Sequence, residues 1–189
     1  MKEAISANDI PDGALDRFRA ALRIRTDWPE EADGTGAAAD AARIAAEAKL
    51  TEFQDFLVTT YPAFHAVTER YVISPFAVAY RWPGTKVPGT AVIEPPVLLL
   101  SHYDVVPVER SQWSVDPFGA ELKDGYVWAR GTLDTKNSLI CALEAAEKLA
   151  ETGFKPKRDI WFAFGGDEER SGQFGARKAS AFFKEKKVA

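Results

Sequence analysis

Cysteine and histidine are scarce in this chain, which holds one cysteine and two histidines among its 189 residues. A single thiol, Cys141, excludes an intrachain disulfide and any zinc site built on several cysteines. The residues on either side of Cys141 are apolar, so we expect a helical thiol that is buried in the core. The two histidines, His65 and His102, are then the only imidazoles from which a metal site could be built.

An excess of positive charge and long apolar runs are also missing. The chain has 24 basic and 28 acidic residues and a formal net charge of -4, so we expect no nucleic-acid partner. No apolar run approaches the roughly 20 residues that span a membrane, and Met1–Ser6 lack the apolar core of a signal peptide. We therefore expect a soluble, cytoplasmic protein without membrane contact. A content of 46% hydrophobic and 28% charged residues is typical of a globular chain, and the length suits one domain.

The spacing of apolar residues predicts helices and strands after a polar arm over residues 1–12. Helices are predicted over residues 12–25, 37–60, 136–152 and 174–186, and strands over residues 71–73, 77–82, 97–101, 126–129 and 159–164. The first two strands flank Ser74-Pro75 and predict a hairpin. The run Val97–Ser101 is continuously apolar, which predicts a strand buried on both faces. The order of the later elements predicts an α/β fold, a mainly parallel sheet with helices on both faces.

Polar side chains follow the apolar run Val97–Ser101 directly. His102 and Asp104 stand two residues apart, so an extended chain projects both of them to the same side. An imidazole in this position can bind a metal while the carboxylate fixes its orientation. A His-x-Asp triplet is more often incidental than catalytic, so its meaning depends on the ends of the other strands.

Two further acidic clusters follow predicted strands. Asp134 lies between the fourth predicted strand and the next helix, where it could simply cap that helix. Asp167–Glu169 follow the fifth predicted strand and the pair Gly165-Gly166, where they could be solvated surface. Because ligands of such sheets bind beyond the carboxyl ends of the strands, we expect these carboxylates to gather beside His102.

An imidazole and several carboxylates at one edge of a sheet favour a divalent metal ion. Zinc accepts this mixture of nitrogen and oxygen ligands, and manganese or cobalt are alternatives. Such an ion lowers the pKa of a bound water molecule, and a glutamate beside the ligands can take its proton and pass it to a leaving amine. The combination predicts a metallohydrolase. His65 lies among aromatic residues, and we expect it to be a packing residue and not a ligand.

Three ordered motifs resemble those of the M20 metallopeptidases, and most closely those of the carboxypeptidase S-like (Gly-Xaa carboxypeptidase) branch. The motifs are Ser101–Val108, Arg130–Lys136 and Asp167–Glu169, the last followed by Gly172 and Gly175-Ala176. The resemblance extends over residues 14–187. It implies a zinc-exopeptidase-like fold of three layers, α/β/α, around the predicted sheet.

The resemblance also implies a role for each polar residue at the strand ends. His102 would bind one zinc ion, and Asp104 would orient its imidazole. Asp134 would bridge two zinc ions, and Glu169 would bind the other ion. Glu168 would be the general base that acts on water.

Two further expectations come from comparing this chain with the pattern of the family. The peptide bond between Asp134 and Thr135 is expected to be cis, and Thr135 stands where family members frequently have aspartate. The family also carries further ligands, an aspartate or histidine and then a late histidine, beyond the point where this chain stops. We therefore expect residues 1–189 to be a truncated N-terminal portion of the catalytic domain, without the lid and dimerisation domain and without the C-terminal part. The full-length protein could then form a homodimer.

These expectations lead to a metal-dependent carboxypeptidase that releases the C-terminal residue of short peptides. A deacylase of N-acyl amino acids, from the same family, is the nearest alternative, since both reactions attack an amide carbonyl with activated water. A third interpretation is a catalytically inactive fragment that acts only as a binding module.

Overall fold

The computed structural model describes residues 11–85 and 94–188, which form five α-helices and six β-strands. The helices are α1 (Ala14–Arg23), α2 (Ala37–Thr60), α3 (Pro62–Val67), α4 (Lys136–Glu151) and α5 (Ala176–Glu185). The strands are β1 (Glu69–Ser74), β2 (Ala77–Trp82), β3 (Val97–His102), β4 (Glu121–Lys123), β5 (Tyr126–Trp128) and β6 (Ile160–Gly165). Most of the polar arm predicted over residues 1–12 lies outside the described residues. The same holds for most of a loop that the pairs Pro83-Gly84 and Pro88-Gly89 predict between them.

Four strands form the main sheet, in the order β1-β2-β6-β3. β3 and β6 are parallel, as expected, whereas β1 pairs antiparallel with β2 and β2 pairs antiparallel with β6. The predicted hairpin at Ser74-Pro75 reverses the chain, so that β2 runs beside β6 in the opposite direction. The α/β class is confirmed, but the described sheet is mixed and not mainly parallel.

Helices cover both faces of this sheet, as predicted. Along β2 and β6 the side chains alternate between the faces, because successive residues of a strand point to opposite sides. On one face, Tyr80 and Phe162 belong to a buried cluster that includes residues of α2, α3 and α4. On the other face, Trp161 and Ala163 pack with Phe183 of α5. The sheet therefore forms the middle of three layers.

β3 lies at the end of the described sheet, and its position corrects one expectation. Its apolar run predicts burial on both faces, but Val97, Leu99 and Leu100 are exposed, Leu100 to 70%. Its one partner among the described strands is β6. The prediction is wrong because no described strand pairs with the outer edge of β3.

The predicted strand over residues 126–129 belongs to a second, smaller sheet. It is β5, and it pairs antiparallel with β4 only, in a two-stranded ribbon. Asp124 and Gly125 join the two strands with positive φ angles of 55° and 80°. An Asp-Gly pair favours such a tight hairpin turn, because both central residues need positive φ. The ribbon is therefore a local hairpin and no part of the main sheet.

The long helix predicted over residues 37–60 is confirmed as α2. Its many alanines favour helix. Pro62 begins α3 at a position where the missing N–H of proline costs little. Within residues 11–85 and 94–188, no helix combines the length and the apolar character that a membrane crossing requires.

α4 buries the apolar stripe that its spacing predicts, with Leu139, Ile140 and Leu143 in the core. Cys141, in contrast, is exposed, so the expectation of a buried thiol is wrong. Consecutive helical residues are rotated by about 100°. One step beyond Ile140 is enough to turn the thiol away from the sheet.

The buried carboxylate of Glu144 joins α4 to two other elements. It accepts hydrogen bonds from Nε and Nη2 of Arg17 in α1, at 2.7 and 2.6 Å. It also accepts one from the hydroxyl of Tyr61, between α2 and α3, at 2.9 Å. Burial, and then the negative charge of Glu144, raise the pKa of Tyr61, which keeps the hydroxyl protonated as a donor. These bonds fix α4, whose first turn lies beside the site described next.

Candidate metal centre

The carboxyl ends of β3 and β6 lie side by side because these strands are parallel neighbours. His102, the last residue of β3, is paired with Gly165, the last residue of β6. Glu168 and Glu169 follow β6 in a short 3-10 turn, and Asp134 lies just before α4. The structure therefore brings His102 together with the three carboxylates that the sequence predicted beside it.

The imidazole of His102 is the centre of this group. Its Nε2 atom lies 3.1 Å from Oδ1 of Asp134 and 3.8 Å from Oε2 of Glu168. Ligand atoms of His102, Glu168 and Glu169 all lie within 4.8 Å of one another. The side chains of Asp134 and Glu168 are 73% and 62% exposed, so the group opens to solvent. One imidazole nitrogen with several carboxylate oxygens is a donor set that fits zinc, manganese or cobalt.

Asp104 lies behind the imidazole and is buried. Nδ1 of His102 lies 3.1 Å from the carbonyl oxygen of Asp104 and 3.3 Å from its carboxylate Oδ1. The other carboxylate oxygen, Oδ2, accepts a hydrogen bond from the backbone N–H of Glu169 at 3.0 Å. Asp104 therefore touches both His102 and the turn that carries Glu169. A proton held on Nδ1 by the carbonyl oxygen of Asp104 leaves the lone pair of Nε2 directed toward the carboxylates.

The turn that carries Asp134 is packed closely against neighbouring chain segments. The peptide bond Asp134–Thr135 is cis, as the resemblance implied. The carbonyl oxygen of Thr135 accepts a hydrogen bond from the hydroxyl of Ser101, at 3.4 Å. Gly131, earlier in the same turn, has a φ of 85°, and a Cβ there would lie 2.9 Å from Cγ1 of Val105. The missing side chain of Gly131 thus permits Val105 to lie closer to this turn than any other residue at position 131 would allow.

Burial and charge act in opposite directions on His102. Burial by itself lowers the pKa of the imidazole, but the hydrogen bonds and charge of Asp104, with the charge of Glu168, raise it to about 9. Burial, followed by the negative charge of Asp134, raises the pKa of the Glu169 carboxyl. Negative charges of neighbouring carboxylates contribute to both raised pKa values, although burial is the largest cause for Glu169, and a bound cation relieves such repulsion.

Asp167, the first residue of the acidic run, points away from this group. It is buried, and its carboxylate accepts hydrogen bonds from the N–H groups of Phe174, Gly175 and Ala176, at 2.6, 2.9 and 3.3 Å. These groups lie at the start of α5, so Asp167 fixes that helix terminus. The preceding Gly166 lets the ring of Tyr103 pass, since a Cβ there would lie 2.7 Å from the ring.

His65 lies outside the site, among aromatic rings. Its Nδ1 is 2.7 Å from the carbonyl oxygen of Tyr61. Its ring centre lies 5.3 Å from that of Phe64 and 5.0 Å from that of Tyr80, both in edge-on geometry. Burial lowers the pKa of His65, which favours the neutral ring. The interpretation of His65 as a packing residue is confirmed.

Lys136 is the residue beside the site that sequence reasoning missed. It is the last residue of the motif Arg130–Lys136, and no function was predicted for it. The structure buries it completely, and burial lowers the pKa of its amine to about 7. The signal in the sequence was its place two residues after Asp134. Its position in the first turn of a helix gave no indication that its side chain is buried.

Several known proteins with longer chains are similar in sequence to this one. Residues 98–189 match the sequence profile of the Peptidase family M20/M25/M40. The Probable carboxypeptidase S-like 2 of Dictyostelium discoideum is 38% identical over 138 residues, which cover 72% of this chain and 26% of that protein. The N-fatty-acyl-amino acid synthase/hydrolase PM20D1 of Xenopus tropicalis is 34% identical over 167 residues, 87% of this chain and 29% of that protein. The chain thus spans between a quarter and a third of the length of these relatives.

The fold is similar to that of a solved M20 family metallo-carboxypeptidase from Sulfolobus solfataricus. The TM-score is 0.64 at 20% sequence identity, and the likeness covers 94% of this chain and 36% of that one. The expected zinc-exopeptidase-like α/β fold is therefore confirmed over the part that this chain represents. The sequence profile over residues 98–189 and the relatives lead to one conclusion: the chain belongs to the peptidase family M20/M25/M40.

Proposed function

We propose that this chain is the N-terminal portion of a metal-dependent hydrolase that removes the C-terminal residue of short peptides. The observation that carries the proposal is that Asp134 and Glu168 lie beside Nε2 of His102 at adjacent strand ends, and that ligand atoms of Glu168 and Glu169 lie within 4.8 Å of one another and of the imidazole. A full-length protein would supply the lid and dimerisation domain and the C-terminal part, and a homodimer of that protein is part of the proposal. This chain covers 26% and 29% of the lengths of the two relatives, which supports its assignment as one portion of a longer protein.

His102, Asp134 and Glu169 would hold the metal, with Asp134 shared between two zinc ions. A bound divalent ion would lower the pKa of water and provide a positive charge beside the amide carbonyl. Manganese or cobalt could replace zinc in this role. Glu168 takes the proton from water and then delivers it to the leaving amine. Its side chain is 62% exposed and lies 3.8 Å from Nε2 of His102. Asp104 keeps the Nδ1 proton of His102 in place, so that Nε2 stays a ligand.

A second candidate substrate is an N-acyl amino acid. The relative from Xenopus tropicalis is named an N-fatty-acyl-amino acid synthase/hydrolase, and its similarity covers 87% of this chain. Both substrates place an amide bond next to a free carboxylate, so the same metal, Glu168 and water would serve both reactions. Hydrolysis rates for a dipeptide and for an N-acyl amino acid, measured on the same zinc-loaded preparation, separate the two.

The substitution Glu168→Gln in the full-length protein tests the reaction. We expect zinc binding to be retained and kcat to fall by about 10²- to 10⁴-fold, the usual contribution of a general base. Glu121→Gln, at an exposed position of β4, is the matched control and should leave kcat unchanged. An unchanged kcat in Glu168→Gln would show that Glu168 is not the base.

The 189-residue chain itself tests whether the portion is active alone. Stoichiometric zinc in the purified chain, together with peptide turnover, would exclude the interpretation as an inactive binding module. Zinc binding without turnover is expected if the site needs the remaining part of the catalytic domain.

A further inference from the structure

Lys136 is buried two residues from Asp134, and the negative charges of Asp27 and Asp104 act on its amine without an ion-pair contact. It is 0% exposed, and lysine is almost never fully buried unless it is paired. Within the described residues, no carboxylate lies within ion-pair distance of its Nζ atom. The Nζ donates hydrogen bonds to the carbonyl oxygens of Ala21 and Ile24, at 3.1 and 2.8 Å, and lies 4.8 Å from the ring centre of Phe53.

The two carbonyl groups belong to the C-terminal end of α1, where helical carbonyls lack partners within the helix. Donors are favoured there because the helix dipole is negative at this end. Lys136 is the first residue of α4. Its side chain therefore ties the N-terminal end of α4, and the turn that holds Asp134, to the chain that leaves α1.

The chain that leaves α1 is in turn bonded to the segment around Asp104. The hydroxyl of Thr26 donates to the carbonyl oxygen of Tyr103 at 2.5 Å. The N–H of Val105 donates to the carbonyl oxygen of Thr26 at 3.3 Å, and Asp27 and Val105 form a parallel bridge. Residues 24–27 thus touch Lys136 on one side and both neighbours of Asp104 on the other.

Gly131 brings the turn with Asp134 into direct contact with Lys136 and with Val105. The backbone N–H of Lys136 donates to the carbonyl oxygen of Gly131 at 3.2 Å. A Cβ at Gly131 would lie 2.9 Å from Val105 and 3.4 Å from Cδ of Lys136. The turn with Asp134 and the segment with Asp104 are therefore packed together, and the Lys136 side chain lies between them and α1.

We infer that Lys136 is a positioning residue, which holds Asp134 and the Tyr103–Val105 segment in the relative placement that a metal ion requires. The inference rests on the proposed metal-dependent function. Lys136 itself touches neither the carboxylates nor the imidazole, and it acts through the backbone of residues 24–27. Loss of its two hydrogen bonds should loosen residues 24–27 and, through them, the backbone on both sides of Asp104.

Amide hydrogen exchange of the metal-free chain separates positioning from general stability. In Lys136→Met, which keeps the length of the side chain but has no donor, the Val105 amide should exchange roughly tenfold faster than in the wild type. The amides of β2, in the middle of the sheet, should change less than about twofold. Lys148→Met, the same substitution at an exposed position of the same helix, is the control and should change neither. Equal acceleration of Val105 and of β2 would show a merely structural lysine and would overturn the inference.

Cobalt affinity, measured by competition with a chelator, is the second readout. Lys136→Met should bind cobalt about 10- to 100-fold more weakly, as expected when the support of metal ligands is removed. Thr26→Val removes the hydroxyl at the other end of the connection and should weaken binding in the same direction, which keeps the test decisive if Lys136→Met does not fold. Unchanged affinity in both variants would overturn the inference. A wild-type chain that binds no cobalt would instead refute the proposed metal site, and the exchange rate of Val105 would still decide whether Lys136 positions the segment.

Discussion

Replacing Asp104 by asparagine tests how the site prepares His102 for a metal. The carbonyl oxygen and the carboxylate of Asp104 lie 3.1 and 3.3 Å from Nδ1 of His102. The change Asp104→Asn keeps the shape of the side chain and an acceptor for the N–H of Glu169, but it removes the negative charge. The loss of charge acts on metal affinity in two opposite directions.

The first effect concerns the proton on His102. With a pKa of about 9 in the metal-free chain, the imidazole must lose a proton before it can bind a metal. At pH 7 this requirement weakens metal affinity on the order of 100-fold, because this pH lies about two units below the pKa of the imidazole. Without the charge of Asp104 the pKa of His102 should fall, because burial lowers it and fewer groups then raise it. Part of the cost at pH 7 then disappears.

The second effect concerns the basicity and orientation of the imidazole. Removing the partner of a metal-binding histidine typically weakens metal affinity by about 10- to 100-fold. At pH 7 the two effects partly cancel, so Asp104→Asn and the wild type should bind zinc within about tenfold of each other. At pH 9 the wild type has almost no proton to lose, so the variant should bind about 10- to 100-fold more weakly.

Zinc affinities at pH 7 and pH 9, measured by competition with a chelator, check this pH dependence. An NMR titration of the two imidazoles measures the pKa of His102 directly, with His65 as the internal reference. Equal zinc affinities at pH 9 would refute the idea that Asp104 supports His102 as a ligand. A His102 pKa that stays near 9 in the variant would assign the shift to Glu168 and refute the reasoning about Asp104.

Three further predictions concern the fold around the site. Tyr61→Phe should lower the free energy of unfolding in urea by about 1.5–3 kcal/mol, because the buried carboxylate of Glu144 loses one donor; a loss below about 0.5 kcal/mol would contradict this. His65→Asn should reduce the loss of stability between pH 6.5 and pH 5. Burial lowers the folded pKa of His65, so the unfolded wild type binds more protons than the folded one in this range, and its free energy of unfolding falls by at most about 1.4 kcal/mol per pH unit. Parallel plots of unfolding free energy against pH for the two proteins would contradict the prediction. We expect the 189-residue chain to self-associate through the exposed strand β3, and Leu100→Lys should reduce this association in sedimentation velocity because a charge there opposes edge-to-edge pairing; equal sedimentation of the two chains would contradict it.

The residues of the site could be predicted from sequence more reliably than the sheet that carries them. His102 and Glu168 follow apolar runs, and a polar residue after a buried strand marks the sheet edge whatever the order of the strands. Strand order depends instead on pairing between distant segments, and nothing within Ala77–Trp82 specifies that it inserts between β1 and β6. For the same reason, the apolar run Val97–Ser101 did not reveal that β3 ends the described sheet.

The burial of charged side chains was hidden for a related reason. Asp167 and Lys136 are both buried by hydrogen bonds to backbone groups, and such groups leave no mark in the sequence. For Lys136 the acceptor at Ile24 is 112 residues away along the chain. The motif Arg130–Lys136 showed that the residue belongs near the site, but only the packing of α1 against α4 shows where its side chain goes.

The charge balance of the site favours a divalent ion over the proton that His102 carries without one. An imidazolium gives a single positive charge to Asp104, Asp134 and Glu168, whose carboxylate oxygens lie 3.3, 3.1 and 3.8 Å from its nitrogens. The pKa of the Glu169 carboxyl is raised as well, first by burial and then by the negative charge of Asp134. An ion with two positive charges that replaces the proton adds one net charge where these carboxylates converge. The carboxylates that raise the pKa of His102 therefore also provide the reason for its proton to be exchanged for a metal.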